Sequence, residues 1–251
     1  MLRVRVIPSL LIRDLGLVKS VRFAKERYVG DPINAIKVFN DKQADELIVL
    51  DISATKRGSI NFELFSRINR EAFMPLGYGG GIRSADEVRR ILGLGYEKVV
   101  IDSGALDRPA LLSEAASACG SSSVVACIDV RRDKAGRHLV YDYRTKKTLP
   151  RLVKEWAEKC ADLGAGEILL NDADREGTFT GYDVDLISDI ASRVTVPLVA
   201  LGGAATLQDI KNAVEAGASA AAAGSMFVFH GPHKAVLITY PTRETLKETF
   251  G

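Results

Sequence analysis

The chain has 251 residues, 47% of them hydrophobic and 26% charged, and a formal net charge of +2. That length allows two ordinary domains or one large α/β domain, and a near-balanced charge without a long basic run excludes an electrostatic footprint for nucleic acid. The longest charge-free apolar stretch, "AGASAAAAGSMFVFHGP" at 216–232, is broken by glycine and too rich in alanine for a membrane span, and the chain start lacks the basic-then-apolar pattern of a secretory signal.

In chain order, short β-branched runs alternate with helical patterns. Strands are expected near 4–11, 46–52, 74–79, 98–103, 123–130, 166–171, 197–201 and 219–224. Helical periodicity falls near 32–44, 61–72, 85–94, 109–118, 150–163, 184–193 and 207–216. Asp31–Pro32 opens the first helix, Ser84 with Glu87 forms a capping box closed by Gly95, and Thr206 opens a helix that Gly217 ends. Residues 133–149 alternate like a small hairpin inserted after the fifth strand. Eight strand–helix units with short links predict a closed parallel (β/α)8 TIM barrel.

The chain repeats itself. Residues 75–105 lie over 197–227, matching Gly80–Gly81 to Gly202–Gly203, Gly95 to Gly217 and Ser103 to Ser225; residues 44–54 lie over 165–175, matching Glu46 to Glu167 and Asp51 to Asp172. This points to one barrel over 1–251 built from two fused half-barrels, about 1–120 and 121–251.

Glycines end the third and seventh strands, and Ser103 and Ser225 follow the fourth and eighth. Glycine lets backbone N–H groups approach an anion, and a helix start adds a positive field. Gly81 with Ser103, and Gly177, Gly202, Gly203, Gly224 and Ser225, are therefore candidate phosphate contacts; tight turns without a ligand are the alternative. Asp102 puts a negative charge beside the first site where the other half has Gly224.

Arg5, Glu46, Lys98 and Glu167 start the first, second, fourth and sixth strands. Period-two alternation turns them toward the barrel floor, either as a salt-bridge plug or as a gate to a conduit. At the opposite strand ends, Asp129, Asn171 and Asp102 face the mouth, where polar residues mark an active site. Asp129 is the candidate general acid or base, although an aspartate there can also simply bind loop amides. Lys19, expected in a loop over the mouth, is the candidate contact for an anionic ligand. Cys119, Cys127 and Cys160 are odd in number and scattered, and His138, His230 and His233 form no helix-face pair. Reduced thiols of a cytoplasmic protein, with no metal and no cofactor, are expected.

The motifs "GDPINAIKVFNDKQADELIVLDISAT", "GYGGGI", "VVACIDVRR", "GAGEILLNDADREGT" and "PLVALGGAATLQD" together resemble the cyclase subunit of imidazole glycerol phosphate synthase over essentially the full length. The resemblance implies a glutaminase subunit docked on the floor, with Glu97 at that interface. It also implies ammonia passing a gate of Arg5, Glu46, Lys98 and Glu167 into the barrel. The family's acid–base pair is two aspartates. Asp129 matches one, whereas Leu11 stands where the other belongs; Asp102 replaces the usual Asn and Asn171 the usual Thr or Ser. The opening strand and "GLVK" are similar to a divergent branch linked to bacterial surface polysaccharides. That branch implies ammonia supplied to a third, sugar-amidating enzyme and a phosphorylated small-molecule ligand. Alternatives are a genuine histidine-pathway cyclase, a sugar-phosphate isomerase (which Leu11 disfavours) and a scaffold that only activates the glutaminase.

Overall fold

The computed structural model describes residues 4–251, so residues 1–3 of the expected first half-barrel lie outside it. Eight parallel strands form a closed ring: β1 Arg5–Arg13, β2 Leu47–Asp51, β3 Leu76–Gly79, β4 Lys98–Ile101, β5 Val124–Arg132, β6 Glu167–Asp172, β7 Leu198–Leu201 and β8 Ala220–Ala223. Each pairs with its sequence neighbour, and β8 pairs back onto β1 through Arg5–Ala220 to Pro8–Ala223. Helices α1 Pro32–Asp41, α2 Phe62–Glu71, α3 Ala85–Gly93, α4 Ala110–Cys119, α5 Val153–Asp162, α6 Val184–Ala191 and α7 Leu207–Glu215 follow in turn, making a (β/α)8 TIM barrel. Among the described residues no helix is long and apolar enough to cross a membrane.

Local chemistry sets the helix starts. Asp31 accepts from Asn34 N with Pro32 in the first turn, while Ser84–Glu87 and Thr206–Asp209 form complete capping boxes. Strand alternation then divides the apolar residues into two cores. Ile7, Ile48, Val100, Val125, Leu169, Val199, Ala220 and Ala222 fill the barrel interior. The opposite faces, with Tyr78, Phe65, Trp156 and Ile187 among them, pack between strands and helices. Tyr78 points outward, edge-on to Phe65 at 4.6 Å and Tyr96 at 5.8 Å between ring centroids. Its neighbours Gly77 and Gly79 leave room inside, where a Cβ would meet Ile48, Leu50 and Val100.

The structure differs from the sequence expectations where strands pair locally. β1 does not run into a loop. It turns at Asp14 (φ 55°), pairs antiparallel with Gly16–Val21, and that strand pairs with Ala24–Gly30. The helix expected from 150 starts at Val153, because Lys147–Leu152 pairs with His138–Asp142. This second hairpin continues β5 through Val130–Val140. Short helices at 54–57, 103–107 and 225–228 occupy loops after β2, β4 and β8, and helix α8, Arg243–Phe250, ends the chain.

The sequence repeat is also a repeat of geometry. Asp51 accepts from Ser53 N and Ala54 N, and Asp172 from Asp174 N and Arg175 N. A Cβ on Gly80 would stand 2.3 Å from Asp51 O, and one on the matching Gly202 2.6 Å from Asp172 O. Gly80 also has φ +123°, and its obstacle is backbone that cannot swing away. Gly80→Ala is expected to destabilise the fold by about 3 kcal/mol, read as a lower urea midpoint at unchanged slope.

Candidate functional site

At the floor, the charged strand starts close into one ring. Arg5 binds Glu46 at 2.7 Å and also Glu167; Lys98 binds Glu167 at 2.5 Å and Glu46 at 3.4 Å. Both carboxylates are almost fully buried. Burial works against the Arg5 charge, but the hydrogen bonds and charges of Glu167 and Glu46 outweigh it and raise the guanidinium pKa. Glu97 is exposed immediately outside this ring, and Phe73, in the loop leading into β3, is 88% exposed.

At the mouth, β5 and β6 place Asp129 and Asn171 side by side as register partners. Asn171 Nδ2 donates to Asp129 Oδ1 at 2.8 Å, and the Cys127 thiol lies 4.0 Å from the same oxygen. Asp102 stands one residue beyond the Ile101–Ala126 pair of β4 and β5. Burial pushes the Asp129 carboxyl up to about 7, with Asn171 opposing and Asp142 and Glu176 adding to the rise. Burial and then the charge of Asp129 push Asp102 well above the usual range. Leu11 pairs with Leu50 on β2, so that side of the mouth is apolar.

Lys19 does not sit in a loop. It lies in the strand Gly16–Val21, opposite Arg27, and is only 3% exposed. The reason is pairing: Val18 against Leu11 carries this strand back over the mouth. The Lys19 ammonium donates to Ser9 O at 2.5 Å, and burial lowers its pKa to about 8, the charge of Glu176 opposing. A Cβ on Gly224 would be 2.5 Å from Lys19 Nζ, so the missing side chain there makes the space that the ammonium fills.

Glu176 ties this hairpin to the loop after β6. Its backbone oxygen accepts from Arg22 N at 2.9 Å, its carboxylate accepts from Ser20 Oγ at 3.1 Å, and Gly177 packs directly on Ser20 O. The inserted hairpin closes the other side: Arg131 lies over the Tyr141 ring at 4.1 Å and donates to Arg22 O. Arg144 anchors the hairpin tip to Asp107 at 2.6 Å and to Asp142 at 2.9 Å. Tyr143 comes close to Thr55 and Ser103, and Thr55 Oγ1 is buried without a hydrogen-bond partner among the described residues.

The candidate phosphate residues divide by half. Gly202 and Gly203 pack against Asp172, Arg175 and Gly181 beside β7; Ser225 opens a four-residue helix after β8. Gly81 packs on Ala54, and Ser103 opens a short helix with Asp102 before it. Asp51 and Asp172 point away from the barrel and organise loops instead. A rim cleft of about 400 Å³, lined by Asp14, Leu15, Arg57, Ser59 and Asn61, lies apart from the acids. The three cysteines are free, and among the described residues no group of three or more His, Cys, Asp or Glu is placed to hold a metal.

A family model described as histidine biosynthesis protein matches residues 5–233. The chain belongs to that family. Within it the chain is HisF-like. It is 49% identical to a Leptospira borgpetersenii protein provisionally named imidazole glycerol phosphate synthase subunit HisF, covering 96% of each chain. It is 47% identical to a provisionally named Pseudomonas aeruginosa hisF2 subunit over 96% of this chain and 97% of that one. An Alkaliphilus metalliredigens imidazole glycerol phosphate synthase subunit HisF is 38% identical over 92% of each.

Sequence reasoning missed Glu176 as the brace of this HisF-like mouth, Tyr143 beside Ser103, and Phe73 on the floor. Glu176 stands in a loop quoted for its glycine, and nothing local says that a hairpin from β1 reaches it. Two expectations follow. Removing Glu167 as Glu167→Gln leaves Arg5 and Lys98 sharing one carboxylate and should cost about 2–4 kcal/mol by chemical denaturation, discounted because both cations are partly exposed. A carboxyl whose folded-state pKa is raised binds more protons folded than unfolded, so its contribution to stability falls as pH rises from about 4 toward 7. Asp129→Asn should flatten that fall by ~3 kcal/mol, read from unfolding midpoints at pH 4.5 and 7.5.

Proposed function

We propose that this chain is the synthase-type subunit of a glutamine-dependent amidotransferase complex whose ammonia amidates a surface-polysaccharide sugar. A glutaminase subunit docks on the floor, against Glu97 and the exposed Phe73. Ammonia passes the gate of Arg5, Glu46, Lys98 and Glu167, and the barrel interior conducts it to the mouth. A third enzyme that amidates the sugar receives it. The relatives' names support the coarse part of this reading, since they are subunits of a synthase.

The observation that carries the finer part is Leu11. It levels with Leu50 on the apolar side of the mouth, so Asp129 has no carboxylate facing it from β1. A leucine cannot transfer a proton, and losing one member of an acid–base pair removes about 10²–10⁴-fold in rate. The mouth is also polarised: Lys19 beside β8 and Asp102 after β4 lie four strands apart in a ring of eight, hence on opposite sides. Lys19, Gly177, Gly202, Gly203, Gly224 and Ser225 suit one anionic group of a phosphorylated ligand. Gly81 and Ser103 would form the second cradle, but Asp102 and Tyr143 lie against it, which disfavours a ligand with a phosphate at each end.

The genuine cyclase is a second reading, supported by Asp129 and by similarity to HisF subunits over 91–92% of each chain. With a glutaminase partner bound, cyclisation of the ribulosyl substrate is expected at least about 10²-fold below that of a HisF with both aspartates. Comparable turnover would overturn the amidation reading. Leu11→Asp combined with Asp102→Asn should raise cyclisation. Lys19→Met should weaken binding of inorganic phosphate about tenfold or more, one charge-assisted contact being worth ~1.5–3 kcal/mol. In the unsubstituted chain that binding should decline as pH rises through about 8, where Lys19 loses its proton.

A further inference from the structure

The acid side of the mouth contains more than the family pattern requires. Asp129 and Asn171 are register partners on the neighbouring strands β5 and β6, and Asp102 directly follows β4, the strand on the other side of β5. Their hydrogen-bonding capacity is lopsided. Asn171 uses Nδ2 on Asp129 Oδ1, which fixes its amide with the carbonyl as the remaining group. That carbonyl, Asn171 Oδ1, has no hydrogen-bond partner among the described residues, although Asn171 is only 6% exposed. A buried acceptor left unpaired costs about 1–3 kcal/mol. Asp129 Oδ2 and the Asp102 carboxyl add further acceptors.

Among the described residues no cationic side chain hydrogen-bonds to either carboxyl, and Arg131 and Arg144 act on them only at longer range. The charged groups bearing on Asp129 are Asp142, Glu176, Asp102 and Arg131; those bearing on Asp102 are Asp129, Arg144 and Asp142. Arg131 donates to Arg22 O, lies over the Tyr141 ring and pairs at 3.7 Å with Asp174, its Nε otherwise without a hydrogen-bond partner among the described residues, and Arg144 is engaged with Asp107 and Asp142. Lys19 is held by Ser9 O on the far side. Burial and their mutual repulsion make both carboxyls hold a proton to higher pH than free aspartates do. Below them the interior layer of Ile7, Ile48, Val100, Val125 and Leu169 is apolar, which admits neutral ammonia and rejects ions.

We propose that Asp102, Asp129 and Asn171 form an ammonium-binding site at the mouth end of the barrel, where ammonia emerging from the apolar interior is protonated and held. This rests on the conduit reading of the preceding subsection. In the step, the ammonia lone pair takes a proton held by one of the two carboxyls; an N–H bond forms as an O–H bond breaks, leaving ammonium between that carboxylate, its neighbour and the Asn171 carbonyl. When an acceptor arrives, the proton returns to a carboxylate and the nitrogen regains its lone pair for attack. No other reactant is needed. The aspartate missing from β1 and the aspartate gained after β4 are then one change: an acid displaced from the substrate's flank to the exit of the conduit.

The test is calorimetric titration of the purified chain at pH 7 with ammonium chloride, potassium chloride and tetramethylammonium chloride at constant ionic strength. Potassium matches ammonium in size but donates no hydrogen bond. Ammonium is expected to bind about tenfold or more tightly than potassium, and Asp102→Asn and Asn171→Leu, each checked for native circular dichroism, should each lose that preference. Equal affinity for potassium, or an undiminished preference in both variants, overturns the site. Labelled glutamine amide nitrogen, followed through the complex with its glutaminase, separates the two levels. Passage of label without ammonium binding overturns this site and leaves the conduit standing. Ammonium binding without passage overturns the conduit and leaves the site.

Discussion

The ring of Arg5, Glu46, Lys98 and Glu167 is the constraint on which the rest of the barrel depends. Four ionised side chains at one end of a closed sheet are tolerable only when each charge meets two of opposite sign, and here each does. Because alternation is strict, the residues that put these charges at the floor also decide what stands two and four positions later. Arg5 leads to Ile7 and Ser9, Glu167 to Leu169 and Asn171, and Lys98 to Val100 and Asp102. A one-residue slip in any of these strands would bury a charge in the helix layer, so the ring holds the register that builds the mouth.

That mouth is divided between two kinds of surface. Leucines on β1 and β2 and the Lys19 ammonium beside β8 occupy one side; the carboxyls after β4 and on β5, with Asn171 on β6, occupy the other. The division follows from three residues of contrasting size and charge. Leu11 keeps its side apolar, Asp102 puts a carboxyl near Asp129, and Gly224 opens the space in which Lys19 lies against Ser9 O. Each is unremarkable alone. Their positions around a ring turn them into a gradient of charge across the opening, with an anion-compatible side facing an acidic one.

Two hairpins and one loop roof this opening, and their attachments explain why the groups beneath are so shielded. Glu176 receives Ser20 and Arg22 from the first hairpin, and Arg131 receives the second hairpin through Tyr141 while reaching Arg22 O. Water is kept from Lys19 and Asp129, and that exclusion is the first cause of both pKa shifts. The low polarity that lowers one and raises the other makes both groups exchange protons near neutral pH.

Much of this was legible in the sequence because it obeys short-range rules. Eight alternating units, the capping boxes at Ser84 and Thr206, and the match of Gly80–Gly81 to Gly202–Gly203 follow from periodicity and turn chemistry. The ring residues could be named because strand starts and alternation are local, and Asp129 and Leu11 because a repeat and a resemblance put them in register. What the chain alone did not disclose depends on segments meeting far from one another in sequence. Lys19 reads as an exposed loop lysine until Val18 pairs with Leu11 and folds it inward. Glu176 has no visible partner until the first hairpin crosses the mouth, and Tyr143 has none until Arg144 pins its hairpin to Asp107. Period-two and period-3.6 patterns determine which face a residue shows, whereas only closure of the ring determines what that face meets.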